Sequence, residues 1–366
     1  MTPYDLLAQP LTLTRGPAWK NRFMLAPLTN RQSHADGRLS DEEYRWLTMR
    51  AEGGFGLTMT CAAHVLEQGQ GFGGQLGIFS DDHLEGLTRL ADGLRAAGSV
   101  SSVQLHHAGI RSPRELVGDI VGPSDDAETG ARALSTAEVE AARDAFIAGA
   151  VRAEKAGFDG VEVHGAHGYL LCAFMSPELN RREDRYGGSL ENRARLTFEI
   201  VDGIRAACGP DFQLGLRLSM ERFGLRFDEQ LEITAEVLRQ GVVDYLDMSL
   251  WDVKKEPSDP DHKGRTMMER LAELPRGQVR LGAAGKIMSA RDAADLLAAG
   301  CDYAVIGRAA ILRHDYPNRV MADGAYVSPA TPVSEAHLAA EGLSPTFVTY
   351  MRNWKGFVEE PVEAAS

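Results

Sequence analysis

The sequence predicts an α/β fold, a single (β/α)8 TIM barrel with an N-terminal β-hairpin cap and a long loop after its third strand. Two observations carry that prediction. Short apolar segments alternate with helix-periodic ones at least eight times along the 366 residues, the pattern of β–α units feeding a parallel sheet. Three of these segments are entered through the same punctuation: AGFDGVEV, QGVVDYLDM and AGCDYAVI. In them Gly157, Gly241 and Gly300 stand where a helix ends in a left-handed cap. Eight such units close as a barrel rather than spread as an open doubly wound sheet.

Taken in order, the strands fall at Arg22–Ala26, Gly56–Ala62, Val100–Leu105, Gly160–His164, Phe212–Leu218, Tyr245–Ser249, Val279–Ala283 and Tyr303–Gly307. Helices fall at 41–52, 82–97, 136–156, 189–208, 229–240, 265–274 and 289–299, with a last one beginning near Ala309. Their apolar residues recur at three- and four-residue spacing, as in AARDAFIAGAVRAEKAG. Ser40 before DEEY, and Ser135 or Thr136 before AEVE, suit N-caps with acid in the first turn. PLTLTRGPAWKNR would form the hairpin over the barrel floor. The segment from Gly109 to Ser135, rich in Gly, Pro and acid, is too long for a plain connector and should carry function or a capping role. The barrel spans about 20–320, and a polar, Pro-punctuated, less periodic tail follows over about 321–366. No linker or composition break divides the chain, so one domain is expected.

Composition narrows the class. A hydrophobic share of 44% with 25% charged residues is that of a soluble globular protein. A net charge of −13 argues against non-specific attraction to nucleic acid or an anionic membrane surface. Cys61, Cys172, Cys208 and Cys301 are scattered without a CxxC pair, which disfavours a disulfide framework or an iron–sulfur cluster and fits a reducing cytoplasm. No leader pattern opens the chain and no apolar stretch approaches 18 residues, so a cytoplasmic protein is expected.

The chemistry-bearing stretch is HGAHGYL, from His164 to Leu170, entered from the apolar strand DGVEVH. Two imidazoles three residues apart, with a phenol two further on, can converge at the strand's carboxyl end, where parallel α/β folds bind ligands. His164 and His167 can grip one small oxyanion, and Tyr169 beside them can supply a proton. A lone HxxH is more often a turn whose histidines satisfy buried backbone groups. Its place after a βα-type strand, with Tyr169 adjoining, reverses that reading. Two glycine sites matter as well: Gly285 after the seventh strand and Gly307-Arg308 after the eighth. Loops there form the usual phosphate site of such barrels, with backbone amides close to the anion and Arg308 able to pair bidentately. Taken alone this says only that a phosphorylated ligand binds. GFGGQLG at 71–77 has the wrong glycine spacing for a dinucleotide fingerprint and reads as a loop.

HGAHGYL and the SPELNRREDRYGGSLENR that follows, with KNRFMLAPLTN, VQLHHAG, GLRLS, GAAGKI and AVIGR in order, resemble the signature of the Old Yellow Enzyme family over about residues 5–320. The resemblance implies an FMN-dependent ene-reductase on an (α/β)8 barrel, with NADH or NADPH as reductant in the same open pocket. A small enone or nitroalkene would be the substrate. It implies that Ala26, Pro27 and Thr29 run beside the isoalloxazine, with the Thr29 hydroxyl near N5 and O4. Ala62 would offer a backbone contact, Gln104 the pyrimidine edge, and Arg217 a fixed charge near N1 and O2. Gly285, Gly307 and Arg308 would hold the phosphate. His164 and His167 would bind the carbonyl or nitro oxygen, hydride would reach the β carbon from the flavin, and Tyr169 would protonate the α carbon from the opposite face. Asn180, Arg182, Asp184, Tyr186 and Asn192 are expected to be architectural, knitting the fourth loop to the next helix.

This chain departs from the family pattern at three places. The family often follows HAG with Arg, whereas Ile110 stands here and Arg111 one place later. Arg31 occupies a position where some relatives put a substrate-contacting Tyr, which makes the mouth basic and gives Arg31 a substrate-binding role. The tail Met351-Arg352-Asn353-Trp354 matches poorly. Some relatives send a C-terminal Arg into a neighbouring subunit, so a homodimer or homotetramer is open to this chain. Arg352 would then either make that reach or lie on the surface.

Rival classes explain less. A zinc hydrolase or aldolase would need a third ligand beside His164 and His167, and none pairs convincingly, so no metal is expected. A phosphate-binding barrel lyase would explain Gly307-Arg308 but not Gln104, Thr29 and the His-His-Tyr set together. Another FMN-dependent dehydrogenase or demethylase of the same barrel class is the runner-up. Its larger members add a Cys-ligated cluster and further domains.

Overall fold

The computed structural model describes residues 3–360. Eight parallel strands close into a barrel: β1 (Phe23–Leu25), β2 (Leu57–His64), β3 (Val100–His106), β4 (Gly160–Gly165), β5 (Gln213–Ser219), β6 (Tyr245–Ser249), β7 (Arg280–Ala284) and β8 (Tyr303–Ile306). Closure is made by β1, which pairs with β8 through Phe23↔Ala304 and Leu25↔Ile306 and with β2 through Met24↔Leu57. The strands are buried on both faces, as a sheet wrapped by helices requires. Between and after them lie α1 (Asp41–Glu52), α2 (Leu84–Ala96), α3 (Thr136–Lys155), α4 (Leu190–Ala207), α5 (Phe227–Gln240), α6 (Met267–Ala272), α7 (Ala290–Ala298) and α8 (Arg308–Leu312). Every predicted strand and helix is present, although the last predicted helix has only five residues.

The caps follow the expected chemistry. Ser40 and Ser135 accept from the amides of Glu43 and Glu138, and Glu138 completes a capping box by accepting from the Ser135 amide. Of the two capping candidates before α3 it is therefore Ser135, not Thr136, that serves. Gly241 ends α5 in the left-handed region with φ 63°.

The predicted N-terminal hairpin is reduced to one antiparallel bridge, Leu11↔Trp19, with both backbone hydrogen bonds at 2.9 Å. It nevertheless covers the barrel floor. Trp19 is fully buried against Tyr245 and Tyr303, edge to face at 5.5 and 4.9 Å, and its indole N–H donates to Gln213. The two tyrosine rings fit because the facing strand residues are Gly215 and Gly282. A Cβ there would meet the rings at 2.2 and 2.1 Å. The amino end of the barrel is thereby filled with side chains.

Two regions hold more structure than the sequence predicts. The long loop after β3 contains a small parallel pair, Val121–Gly122 with Arg132–Ala133. The tail beyond Tyr316 folds into helices at Tyr316–Ala322, Glu335–Ala340 and Pro345–Met351. Buried Glu341 fastens that tail, accepting from His314 and Arg313, while its backbone carbonyl accepts from buried Arg50. Among the described residues no helix is long and apolar enough to cross a membrane.

Candidate active site

The carboxyl ends of the strands open onto one cavity of about 590 Å³, within the range of small-molecule sites. Ala26, Pro27 and Thr29 border it from the end of β1, Ala62 from β2, Gln104 from β3, and His164, His167 and Tyr169 from β4 and its loop. Arg217 enters from β5, and Gly285, Gly307 and Arg308 from the loops after β7 and β8. Twelve predicted site residues therefore meet in one place. Arg31 is the exception. It lies outside this cavity, lining adjoining clefts with Gly73 and Tyr350, and donates to the Gly73 carbonyl at 3.3 Å.

Backbone conformation marks the same face. Among the described residues, all six non-glycine residues with positive φ lie in the loops leaving the strands: Arg31, His167, Arg222, Phe223, Trp251 and Lys286. Such conformations are costly and persist where surroundings over-determine them. His167, at φ 64°, shows how. Its amide donates to Ser219 Oγ at 3.1 Å and its carbonyl accepts from Arg111.

The histidine tautomers follow from their partners. The Ala166 amide donates to His164 Nδ1 at 3.2 Å, so the His164 proton sits on Nε2. That proton points to His167 Nδ1 at 3.3 Å, and His167 Nε2–H donates to Ser249 Oγ at 2.7 Å. Burial, with the charges of Arg217 and Arg111 adding to it, pushes both imidazoles well below their ordinary pKa and keeps them neutral. Tyr169 completes the wall, its ring edge-on to His106 at 4.4 Å and His164 at 5.1 Å. Burial raises its phenol above the usual 10, against the pull of Arg111.

Beneath the cavity runs a buried polar row. Gln104 donates to Glu162 at 2.8 Å, and Arg217 lies 3.3 Å from Asp247 through Nε. Burial and the Asp247 charge push Glu162 well up, so it holds a proton while Asp247 faces the guanidinium. Arg217 thus keeps its terminal nitrogens for the cavity. Glu162, Asp247, Ser249 and His106 were not singled out from sequence. A charge in the middle of an apolar strand, as in GVEVH and YLDMS, was the available signal.

The expected architectural network is present. Asn180 donates to the Phe174 and Tyr186 carbonyls, Arg182 pairs with Asp184, and Asn192 donates to the Gly187 carbonyl. Arg352 is tied within its own chain to Glu335 and the Glu359 carbonyl.

A closed β/α barrel with a neutral imidazole pair, a phenol, a buried guanidinium and two glycine-bordered loops on one cavity has the build of a cofactor-using barrel enzyme. Comparison with known proteins gives the class. Residues 7–325 match the NADH:flavin oxidoreductase / NADH oxidase family. The chain is 39% identical over 317 residues to a probable NADH-dependent flavin oxidoreductase of Bacillus subtilis, covering 83% of this chain and 85% of that one. It is 35% identical over 292 residues to an NADPH dehydrogenase of Halalkalibacterium halodurans, covering 78% and 85%. Among solved structures, the Old Yellow Enzyme homologue from Zymomonas mobilis superposes with a TM-score of 0.79 at 25% identity, covering 93% of this chain and 99% of that one. The chain belongs to the NADH:flavin oxidoreductase / NADH oxidase family, that of the Old Yellow Enzymes. It is an NAD(P)H-dependent flavin oxidoreductase with FMN as its cofactor.

Proposed function

We propose that this enzyme reduces the activated C=C bond of α,β-unsaturated carbonyl or nitro compounds, as one FMN-binding unit acting in the cytosol. Its four cysteines are unpaired, which supports a reducing compartment. The observation that carries the proposal is the convergence of two neutral imidazoles and a protonated phenol on one cavity wall, facing Gln104 and Arg217.

The residues present fit FMN. Nothing of the protein stands closer than 3.7 Å to where a Gly307 Cβ would sit, so that backbone borders open space. A Gly285 Cβ would strike the Asp252 amide at 2.6 Å, so only glycine lets these loops approach each other. Arg308 has no carboxylate in ion-pair reach among the described residues and lies 5.7 Å from the Trp354 ring centre, which leaves its charge for a phosphate. Gly285, Gly307 and Arg308 would hold the phosphate, Ala26, Pro27, Thr29 and Ala62 the ring system, Gln104 its pyrimidine edge, and Arg217 the charge of its reduced form. When bound, FMN would supply the hydride-transfer chemistry that links NAD(P)H to the substrate.

The side chains do the rest. His164 Nε2–H turns from His167 to the substrate oxygen and stabilises the charge that develops there. His167 joins it once its own proton moves to Nδ1, with the Ser249 hydroxyl then donating to Nε2. Losing one such donor costs about 3–4 kcal/mol of barrier. Tyr169 gives its proton to the α carbon. The test is steady-state: the yellow protein should oxidise NADH or NADPH in proportion to added 2-cyclohexenone under anaerobic conditions. Flavin reduction by NAD(P)H with no enone consumed would reject the substrate class.

A further inference from the structure

Rings and guanidiniums alternate outward from Tyr169 along the mouth of the cavity. The Arg111 guanidinium lies 5.0 Å from the Tyr169 ring centre and 5.8 Å from that of Phe223. Arg222 lies 5.9 Å from the Phe223 ring and 4.6 Å from the Trp251 ring. Trp251 is edge-on to His167 at 6.1 Å, and 53% of it is exposed, unusual for an indole. Arg222, Phe223 and Trp251 are all held at positive φ (72°, 55° and 63°), so the backbone bears strain to present this shelf. Neither Arg111, which donates to the His167 carbonyl, nor Arg222 has a carboxylate in ion-pair reach among the described residues, in a chain of net charge −13.

We infer that this shelf binds an adenine nucleotide, with the base stacked on the open face of Trp251 and its phosphates against Arg222 and Arg111. The pairing of features favours that ligand. A bare carboxylate has no use for an exposed indole, and an uncharged ring has no use for two guanidiniums that lack a carboxylate partner. The reductant carries both parts. Its nicotinamide must reach the cavity below, and the described residues offer it no dinucleotide fold, the glycines at 71–77 being an irregular loop. The ADP half therefore falls to side chains at the mouth. The ADP portion of a coenzyme A thioester shares this chemistry, and the experiment separates the two sources.

The holoenzyme is reduced anaerobically in a stopped-flow instrument with NAD(P)H or with reduced nicotinamide mononucleotide, which lacks the ADP half. Trp251→Ala should raise the half-saturating NAD(P)H concentration about tenfold, the loss of one stacked base. Trp251→Phe should recover most of it. Arg222→Ala should raise it several-fold, by a factor that shrinks with added salt. Reduction by the mononucleotide should be unchanged in all three. If NAD(P)H is unaffected but the KM for crotonyl-CoA rises, the shelf still holds an adenine nucleotide, supplied by the thioester. No change with either nucleotide, or equal weakening of NAD(P)H and the mononucleotide, overturns the inference. Failure of simple enones as substrates would leave this result standing.

Discussion

Tyr169→Phe separates proton donation from site shape. The hydroxyl has no hydrogen-bond partner among the described residues, while the ring is packed by His106 at 4.4 Å, His164 at 5.1 Å and the Arg111 guanidinium at 5.0 Å. Removing the oxygen therefore keeps every ring contact and orphans no buried group, so stability should change by no more than about 0.5 kcal/mol. The kinetic cost is another matter. Burial holds the phenol protonated well past neutral pH, and in the proposed complex the protons of His164 and His167 are engaged by the substrate oxygen, so no neighbour replaces the lost acid. A positioned general acid contributes roughly 10²–10⁴ in rate, or about 3–5 kcal/mol. Stopped-flow spectra should show flavin reduction by NAD(P)H within a few-fold of the parent and reoxidation by 2-cyclohexenone slowed by about 10³. Activated nitroalkenes should accumulate nitronate, and the parent's reoxidation rate should be flat from about pH 6 to 9 because the acid stays protonated. Equal losses in both half-reactions, or a clearly lowered melting temperature, would refute the assignment.

Three further outcomes are expected. Phenols should give a long-wavelength charge-transfer band with the oxidised flavin that His164→Ala abolishes; an unaltered band means the imidazole does not hold the ligand oxygen. Arg308→Ala should release FMN on dialysis, and full retention would remove Arg308 from the phosphate site. Glu341→Gln should destabilise the protein by about 2 kcal/mol at pH 7, the worth of a charge-assisted hydrogen bond. Burial alone would raise the Glu341 pKa, but the hydrogen bonds from His314 and the charges of His314 and Arg313 hold it at about 2. A folded pKa below the unfolded value of about 4.3 means full stabilisation above that pH, lost as pH falls toward 2. The melting difference should accordingly close across that window, and a difference undiminished at pH 2 would contradict the ion-pair account.

The barrel was legible because each unit announces itself. Gly241 sits in the predicted left-handed cap, and β6 runs over Tyr245–Ser249 as the apolar pattern predicts. The cavity was legible for a related reason: a parallel barrel sends every strand's carboxyl end to one face, so residues chosen by that criterion converge. The tail was not. Phe347, Val348 and Met351 are too few to establish a helical period, and what they pack on was set some 300 residues earlier in the chain, where Trp46 meets Phe347 at 4.9 Å. The hairpin shrank because buried Trp19 is held by Tyr245 and Tyr303 rather than by a ladder of its own.

The tail carries one more consequence. Tyr350 and Trp354 wall the cavity from a segment that, among the described residues, contributes no hydrogen bond to the barrel sheet, whose last strand ended at Ile306. The residues proposed to act in turnover thus sit at the strand ends and in the loops just after them, while Tyr350 and Trp354 come from an added segment fastened through Glu341 and through the Ser344 amide to Gln32. Varying the cavity-lining positions Tyr350 and Trp354 while keeping the buried Phe347, Val348, Met351 and Phe357 is therefore a route to new substrate selectivity.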